Sequence, residues 1–553
     1  MDRLTREPVD LLVIGGGITG AGIARDAAMR GLSTALVDQR DFAAGTSSRS
    51  SRLIHGGLRY LEEGALHLVF EASRERHTLL RIAPHLVRPL PFIFPVHRGD
   101  RVPLWKVAAG VWLYEALSLF RNVRRPRILG KRTLLRMEPA LKSRGLTGGA
   151  RYYDAQCDDA RLTLAVIRSA ISHGAMVANY MSVKGLNRES GRISGATIED
   201  QLTGQTGVIR AAAVVNATGP WSDRLRRIED PAATPMLGMT KGAHVLVRRS
   251  RLGHQEAITM TSPIDGRIMF ALPWGPFSYI GTTDTTTTES ADEVGPLAED
   301  VTYLLRSANA YFPNAHLNDD DVLSAWAGLR PLLLADPKLG PSQRSREHRI
   351  VRGSGGMYTI AGGKLTTFRS MAAELVDLVA EALRKERGFP RLPSPGTDRE
   401  ALPGGEVPDH TSFRQAGLDL GLSMSTVVHL WRHYGTEMAA IFNLVREERG
   451  LMTPLDPAHP AIEAEVIHIA RRELPVRIED VMIRRLHLFY ETIDHGRAAT
   501  TRTAALLARE LGWSTEQQAT EVARYFELLD IAPEFRHEKR GGPAAALPEF
   551  DSQ

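Results

Sequence analysis

One cysteine, Cys157, stands among 553 residues. No internal disulfide and no cysteine-built metal cluster is therefore open to the chain, which suits a reducing compartment. None of the 18 histidines falls in the H-E-x-x-H spacing of a metalloprotease helix, and no metal is expected. Charge of one sign is also scarce in excess. The net charge is +5, carried by scattered arginines rather than a basic block, so no nucleic-acid partner is expected. Long apolar runs are missing as well. The longest, Leu104 to Phe120, is broken by Lys106 and Glu115 and is too short and too charged to span a bilayer. The N-terminus carries no pattern of charged, apolar and cleavage regions, which disfavours secretion by a signal peptide.

What is present is an ordinary globular composition, 43% hydrophobic and 24% charged, in a chain too long for one core. Its first 40 residues hold the strongest signal. Val9 to Ile14 reads as a buried parallel strand feeding Gly15-Gly16-Gly17-Ile18-Thr19-Gly20, then a helix to about Arg30 and a strand Thr34 to Val37 ending at Asp38. Gly15 permits the tight turn, Gly17 a close approach to a pyrophosphate, and Gly20 close packing of helix on strand. Phosphates would sit on the helix N-terminus at Ile18 and Thr19, and Asp38 would accept from a ribose diol.

Further along, Gly45 to Arg52 is serine-rich and looks like linker by composition, yet it runs into Ile54-His55-Gly56-Gly57-Leu58-Arg59-Tyr60, an ending no linker needs. A strand from Gly207 to Val215 leads into Asn216-Ala217-Thr218-Gly219, as a second crossover onto the dinucleotide sheet would. Alternating apolar residues between Gly238 and Thr285 predict antiparallel strands. Gly362-Gly363-Lys364-Leu365-Thr366 repeats the strand–glycine–helix logic, with a helix to follow from about Thr366 to Arg384.

The expected fold class is α/β: a discontinuous Rossmann-type dinucleotide-binding domain (1–85, 145–225 and 325–390), read as FAD-binding through the resemblance given below, with an inserted antiparallel-sheet substrate domain (86–144 and 226–324). A Pro/Gly-rich linker (391–408), a C-terminal all-helical domain (409–535) and a disordered tail (536–553) complete the chain. Helices are predicted at 424–434, 437–447, 461–472, 476–485, 500–511 and 515–529.

Taken together, Ile14–Gly20, Thr46-Ser47-Ser48, Ile54–Glu62, Asn216–Trp221, Lys241–His244, Gly281–Asp284, Gly328–Leu332, Ser345–Glu347 and Gly362–Thr367 resemble the FAD-dependent, quinone-linked glycerol-3-phosphate dehydrogenases. They run in family order from residue 9 to 370, with Asp38 where many relatives carry Glu. The resemblance implies oxidation of sn-glycerol 3-phosphate to dihydroxyacetone phosphate, with hydride passing from C2 to flavin N5 of non-covalent FAD and electrons going on to a membrane quinone. It implies substrate-holding roles for Arg59, Tyr60, Arg330 and Arg346, the planar guanidinium forks of the three arginines suiting a phosphate dianion. The hydroxyl proton needs a base: His244 is the first candidate and His55 its rival. Arg330 and Arg59 complete the catalytic set, with His244 and Lys364 also touching substrate.

Lys364 would place positive charge at the flavin N1–C2 edge. Cofactor contacts are expected from Gly15, Gly17, Ile18, Thr19, Gly20, Asp38, Thr46, Ser47, Ser48, His55, Gly56, Gly57, Thr218, Gly219, Gly363, Lys364, Leu365 and Thr366. Asp284 is read as holding a turn.

A quinone partner requires the bilayer. The segment 104–120 carries Trp105, Trp112, Tyr114 and Phe120 between flanking cations, the pattern of peripheral attachment to an anionic lipid surface, here the inner face of the cell membrane in a cytoplasmic protein. A helix packed in the substrate domain is the other reading. Two alternatives to the dehydrogenase stay open: an oxidase that uses O2, and a non-catalytic FAD-binding protein, which would have no use for the arginine set. For the helical domain, a homodimer interface and a prop beneath the FAD domain are equally open.

Overall fold

A computed structural model describes residues 1–57, 61, 64–334, 347–406 and 411–531. Two sheets organise the first 390 residues. In the first, the strands run His348–Arg352, Tyr358–Gly362, Thr206–Asn216, Val9–Ile14, Thr34–Val37, Met176–Ala178, and an antiparallel meander (Met181–Glu189, Arg192–Asp200) joins the outer half of Thr206–Asn216. Val9–Ile14 is parallel to both neighbours. Its Leu11, Leu12 and Val13 have no exposed surface, as a strand covered on both faces requires. The helix Ile18–Met29 packs between Asp159–Ser172 and Phe368–Arg387. At Gly22 a Cβ would sit 2.8 Å from the Phe368 ring, so the small residue sets that helix spacing.

The second sheet holds Leu237–Arg248, Phe277–Gly281, Ile268–Trp274 and Ala257–Thr261, followed by Val87–His97 and Leu146–Cys157. The strand Val322–Leu333 pairs with the other edge of Leu237–Arg248. Val245, Ile280 and Ile258 face the helix Ala298–Tyr311 in one apolar cluster. Three strands fall differently from the sequence partition. Leu53–Ile54, Leu146–Cys157 and most of Val322–Leu333 lie in segments assigned to the FAD-binding domain, yet all pair within the second sheet. Only pairing partners distant in sequence decide where such a strand belongs.

The Ser-rich segment is no linker: Thr46–Ser48 forms a 3₁₀ turn against the glycine loop. Residues 391–406 form neither helix nor strand, but they are packed rather than loose. Leu402 is buried and its N–H donates to the Ile82 carbonyl at 2.8 Å, while Arg25 donates to the carbonyls of Thr397 and Glu400 at 2.9 and 3.0 Å. The tail 536–553 lies outside the described residues.

The C-terminal region is helical, with Met424–Tyr434, Met438–Glu447, Glu463–Arg472, Ile478–Arg484, Arg497–Leu511 and Thr515–Ile531 close to the predicted spans. The helices Thr411–Asp419, Leu66–Ile82, Asp159–Ser172 and Ala298–Tyr311 were not foreseen. Buried charge fastens this region beneath the first sheet. Asp41 accepts from Arg484 Nε at 2.6 Å and Arg485 Nη1 at 2.7 Å, and Arg161 donates to Glu473 at 2.7 Å. Such pairs cost heavily if broken.

Candidate active site

In the first sheet Ile14 lies opposite both Val37 and Asn216. The residues that follow, Gly15, Asp38 and Ala217 to Gly219, therefore emerge together at the carboxyl edge, where open α/β sheets bind ligands. Gly15 has φ +113°, and a Cβ there would sit 2.6 Å from the Ala217 carbonyl oxygen. Asp38 accepts from Gly16 N–H at 2.6 Å and Arg40 N–H at 2.8 Å. Burial pushes its carboxyl up to about 6, against the pull of those two donors. At the helix N-terminus, Ile18 N–H donates to Ser47 Oγ at 2.9 Å, and Thr46 Oγ1 donates to the Leu329 carbonyl at 2.7 Å, tying this loop to the second sheet.

These groups line a cleft of about 440 Å³ between the two sheets, together with Gly17, Thr19, His55, Thr218, Gly219, His244, Arg330, Gly363, Lys364, Leu365 and Thr366. Four expected cofactor contacts do not line it: Gly20, Ser48, Gly56 and Gly57. They act from behind. A Cβ on Gly20 would overlap the Gly15 carbonyl, Ser48 is buried, and Gly56 N–H donates to Tyr114 Oη at 2.7 Å while Gly57 turns the chain at φ +81°. Arg59, Tyr60 and Arg346 lie outside the described residues.

At the substrate end, His244 sits mid-strand opposite Gly281 and Trp326. Its ring stacks on Trp326, centroids 5.3 Å apart at 10°, and it fits only because residue 281 has no side chain to collide with it. Nε2 lies 2.8 Å from Ser51 Oγ. Burial, with Arg330 and Arg52 nearby, pushes the imidazole down to about 3, so the ring is neutral at working pH.

Arg330 lies across Gly242. Its Nη1 donates to the Thr283 carbonyl and to Asp284 Oδ1, both at 3.1 Å, and its Nη2 donates to Thr282 Oγ1 at 2.8 Å. Asp284 thus orients the arginine rather than merely holding a turn. Lys364 opens the turn Leu365–Thr367. Thr366 Oγ1 bridges to the backbone of His55, accepting from its N–H at 3.2 Å, which welds the His55 segment to the start of the last helix of the first sheet.

The sequence reading missed Ser51, Arg52 and Trp326. Arg52 is buried against Trp274 (4.6 Å to the ring centroid) and donates to Tyr279 Oη. No local pattern marks these residues, because each acts across strands. Lys241, part of a quoted motif, is instead committed to Asp300 at 3.1 Å and Glu289 at 3.4 Å.

The cleft fits FAD. Asp38, the side-chain-free Gly15 and Gly17 before the helix N-terminus, and Lys364, His244 and Arg330 all line it.

Comparison with known proteins agrees. Residues 10–369 match the family described as FAD dependent oxidoreductase, and residues 395–518 the C-terminal domain of alpha-glycerophosphate oxidase. The aerobic glycerol-3-phosphate dehydrogenase of Staphylococcus haemolyticus is 35% identical over 528 residues, 93% of each chain. That of Staphylococcus saprophyticus is 35% identical over 96% of this chain and 95% of its own. The glycerol-3-phosphate dehydrogenase of Bacillus halodurans, solved in complex with FAD, superposes with a TM-score of 0.79 at 31% identity over 96% of both chains. An L-alpha-glycerophosphate oxidase from Mycoplasma pneumoniae, at 16% identity and a TM-score of 0.55 over 68% of this chain, shares the fold alone. On these matches and this site, the chain belongs to the FAD-dependent glycerol-3-phosphate dehydrogenases.

Proposed function

We propose that the chain oxidises sn-glycerol 3-phosphate to dihydroxyacetone phosphate and delivers the electrons to a membrane quinone. The observation that carries this reading is the pairing of a buried neutral imidazole, His244, with the guanidinium of Arg330 in the same cleft as the glycine loop. When bound, FAD supplies the hydride acceptor at flavin N5.

The protein's own part is binding and proton handling. Arg330 grips the phosphate dianion, its plane set by Thr282, Thr283 and Asp284. His244 takes the C2 hydroxyl proton at Nε2, the nitrogen that meets the Ser51 hydroxyl at the cleft wall. A base held near 3 is weak, but Arg330 is one cause of that. A bound dianion offsets the Arg330 charge and raises His244 toward working pH, so substrate binding itself strengthens the base. Lys364 adds positive charge where the reduced cofactor accumulates negative charge.

The membrane part rests on the helix Leu104–Leu117. No helix among the described residues is long and apolar enough to cross a membrane. This one buries Val107, Val111 and Tyr114 while Trp105 is 72% exposed, and Trp112, Leu113, Leu119, Phe120 and Val123 are also exposed. Lys106, Arg121, Arg124 and Arg125 flank that face. An aromatic, apolar surface rimmed with cations supports peripheral attachment to anionic lipid on the inner face of the cell membrane.

Anaerobic addition of sn-glycerol 3-phosphate to the FAD-loaded protein tests the reading at the flavin absorbance. Bleaching that a quinone analogue reverses quickly, and air only slowly, is the expected result. Fast reoxidation by air would overturn the quinone acceptor, and no bleaching would overturn the substrate.

A further inference from the structure

We propose that Asp158, His433 and His487 form a site for a borderline divalent transition ion such as Zn2+, at the seam between the FAD-binding region and the C-terminal helices. The three come from separate elements, and their ligand atoms lie within 4.8 Å of one another. Asp158 caps the helix Asp159–Ser172, its Oδ1 accepting from Arg161 N–H at 3.0 Å, which leaves Oδ2 facing the histidines. His433 Nδ1 lies 2.9 Å from the His429 carbonyl, and His487 Nδ1 lies 2.9 Å from the Ile483 carbonyl.

A carbonyl only accepts, so both Nδ1 atoms carry the hydrogen and each neutral ring presents its Nε2 lone pair. This is the outer-shell arrangement that fixes the tautomer of metal-binding histidines. Asp158 Oδ2 lies 2.6 Å from His487 Nε2 and 3.9 Å from His433 Nε2. A proton on His487 reconciles the first contact. The second contact is too long for a hydrogen bond, and His433 Nε2 is buried with no hydrogen-bond partner among the described residues. A buried acceptor without a donor calls for an explanation, and a cation between the two rings and the carboxylate provides one.

Zinc with bonds of about 2.0–2.2 Å in tetrahedral geometry holds its donors about 3.3–3.6 Å apart, so the 2.6 Å contact to His487 must open and the 3.9 Å gap to His433 close as the ion seats. Two nearby arginines are already compensated, Arg161 by Glu473 at 2.7 Å and Arg52 by Asp159 at 3.7 Å. The donor set, two imidazoles and one carboxylate, suits zinc or cobalt rather than calcium, with water in the fourth position. None of the three residues lines the catalytic cleft, so the ion acts as a cross-link between regions, and any proton on His487 leaves to solvent as it binds. This runs against the sequence expectation of no metal, although one H-x-x-x-H spacing is present. His429 and His433 stand one helical turn apart, and His429, held by Glu465 at 2.9 Å, is the residue whose carbonyl orients His433.

The test uses the untagged, full-length, FAD-loaded protein incubated with Zn2+ or Co2+ and freed of loose metal by gel filtration. One metal per chain is expected, with a Tm raised by Zn2+ and a Co2+ ligand-field band at longer wavelength than the flavin absorbance. H433Q should weaken metal binding by at least the roughly 10- to 100-fold that loss of an outer-shell partner costs, keep its flavin, and lose the Zn2+-dependent rise in Tm. Substoichiometric metal in the parent protein overturns the proposal and leaves a proton-bridged His487–Asp158 pair. So does equal metal in the parent and H433Q, which marks surface binding. Should H433Q fail to fold, the Co2+ spectrum of the parent decides, since lack of the band overturns the site by itself.

Discussion

Ser51 and His244 are 193 positions apart in sequence, yet their Oγ and Nε2 atoms lie 2.8 Å apart. One comes from a serine-rich loop after the glycine turn, the other from the middle of an antiparallel strand. Their contact joins the cofactor-binding part of the chain to the part that meets substrate.

Removing the imidazole should be costly. H244Q is expected to lower kcat by about 100- to 10,000-fold, the usual contribution of a positioned base, while flavin content stays unchanged. Single-turnover flavin bleaching separates this from loss of substrate binding. If the rate holds, His55 becomes the base to test.

Arginine 330 should show a binding signature. Loss of a charge-assisted hydrogen bond costs about 1.5–3 kcal/mol, or roughly 10- to 100-fold. R330A is expected to raise KM by at least that factor, and R330K to recover only part of it, because an ammonium lacks the planar fork. Initial rates against sn-glycerol 3-phosphate concentration measure it.

The depressed imidazole of His244 sets a pH dependence of stability. Its folded value of about 3 lies below the unfolded 6.5, so below pH 6.5 the unfolded chain binds the extra proton. The stability linked to the neutral ring is therefore complete above 6.5 and is lost progressively as pH falls toward 3. Comparing the Tm of the parent and H244Q between pH 7 and pH 4 should show a shallower decline in the variant.

Asp41 should be indispensable to the seam beneath the first sheet. Burial opposes its charge, but Arg485 and Arg484 outweigh burial and hold the carboxyl down to about 2. D41N leaves two buried guanidinium groups without their shared counter-charge, at a cost of roughly 3–5 kcal/mol. Denaturant unfolding reports the loss. The contribution is present above the unfolded carboxylate value of 3.8 and fades only as pH falls from there toward 2.

Substituting Gly15 should abolish cofactor loading. The position needs φ +113° and leaves no room before the Ala217 carbonyl, so G15A is expected to lose flavin, read as the 450 to 280 nm absorbance ratio, or to fail to accumulate as folded protein.

The sequence alone determined much of what is built from neighbours along the chain, though the helices Leu66–Ile82, Asp159–Ser172, Ala298–Tyr311 and Thr411–Asp419 went unread. The strand Val9–Ile14, the glycine turn, the helix Ile18–Met29 and the placement of Asp38 are local matters of burial period, φ preference and dipole. So are the apolar faces of the helices from Met424 onward. What only the tertiary structure decided depends on pairing. It put Leu146–Cys157 in the second sheet, set Ser51, Arg52 and Trp326 around His244, turned Asp284 onto Arg330 and brought Asp158 to two histidines of the helical region. Periodicity shows which face of a strand is buried but not which distant strand will lie beside it. Polar side chains carry no periodic signal, so their partners are chosen only when the sheets and helices close on one another.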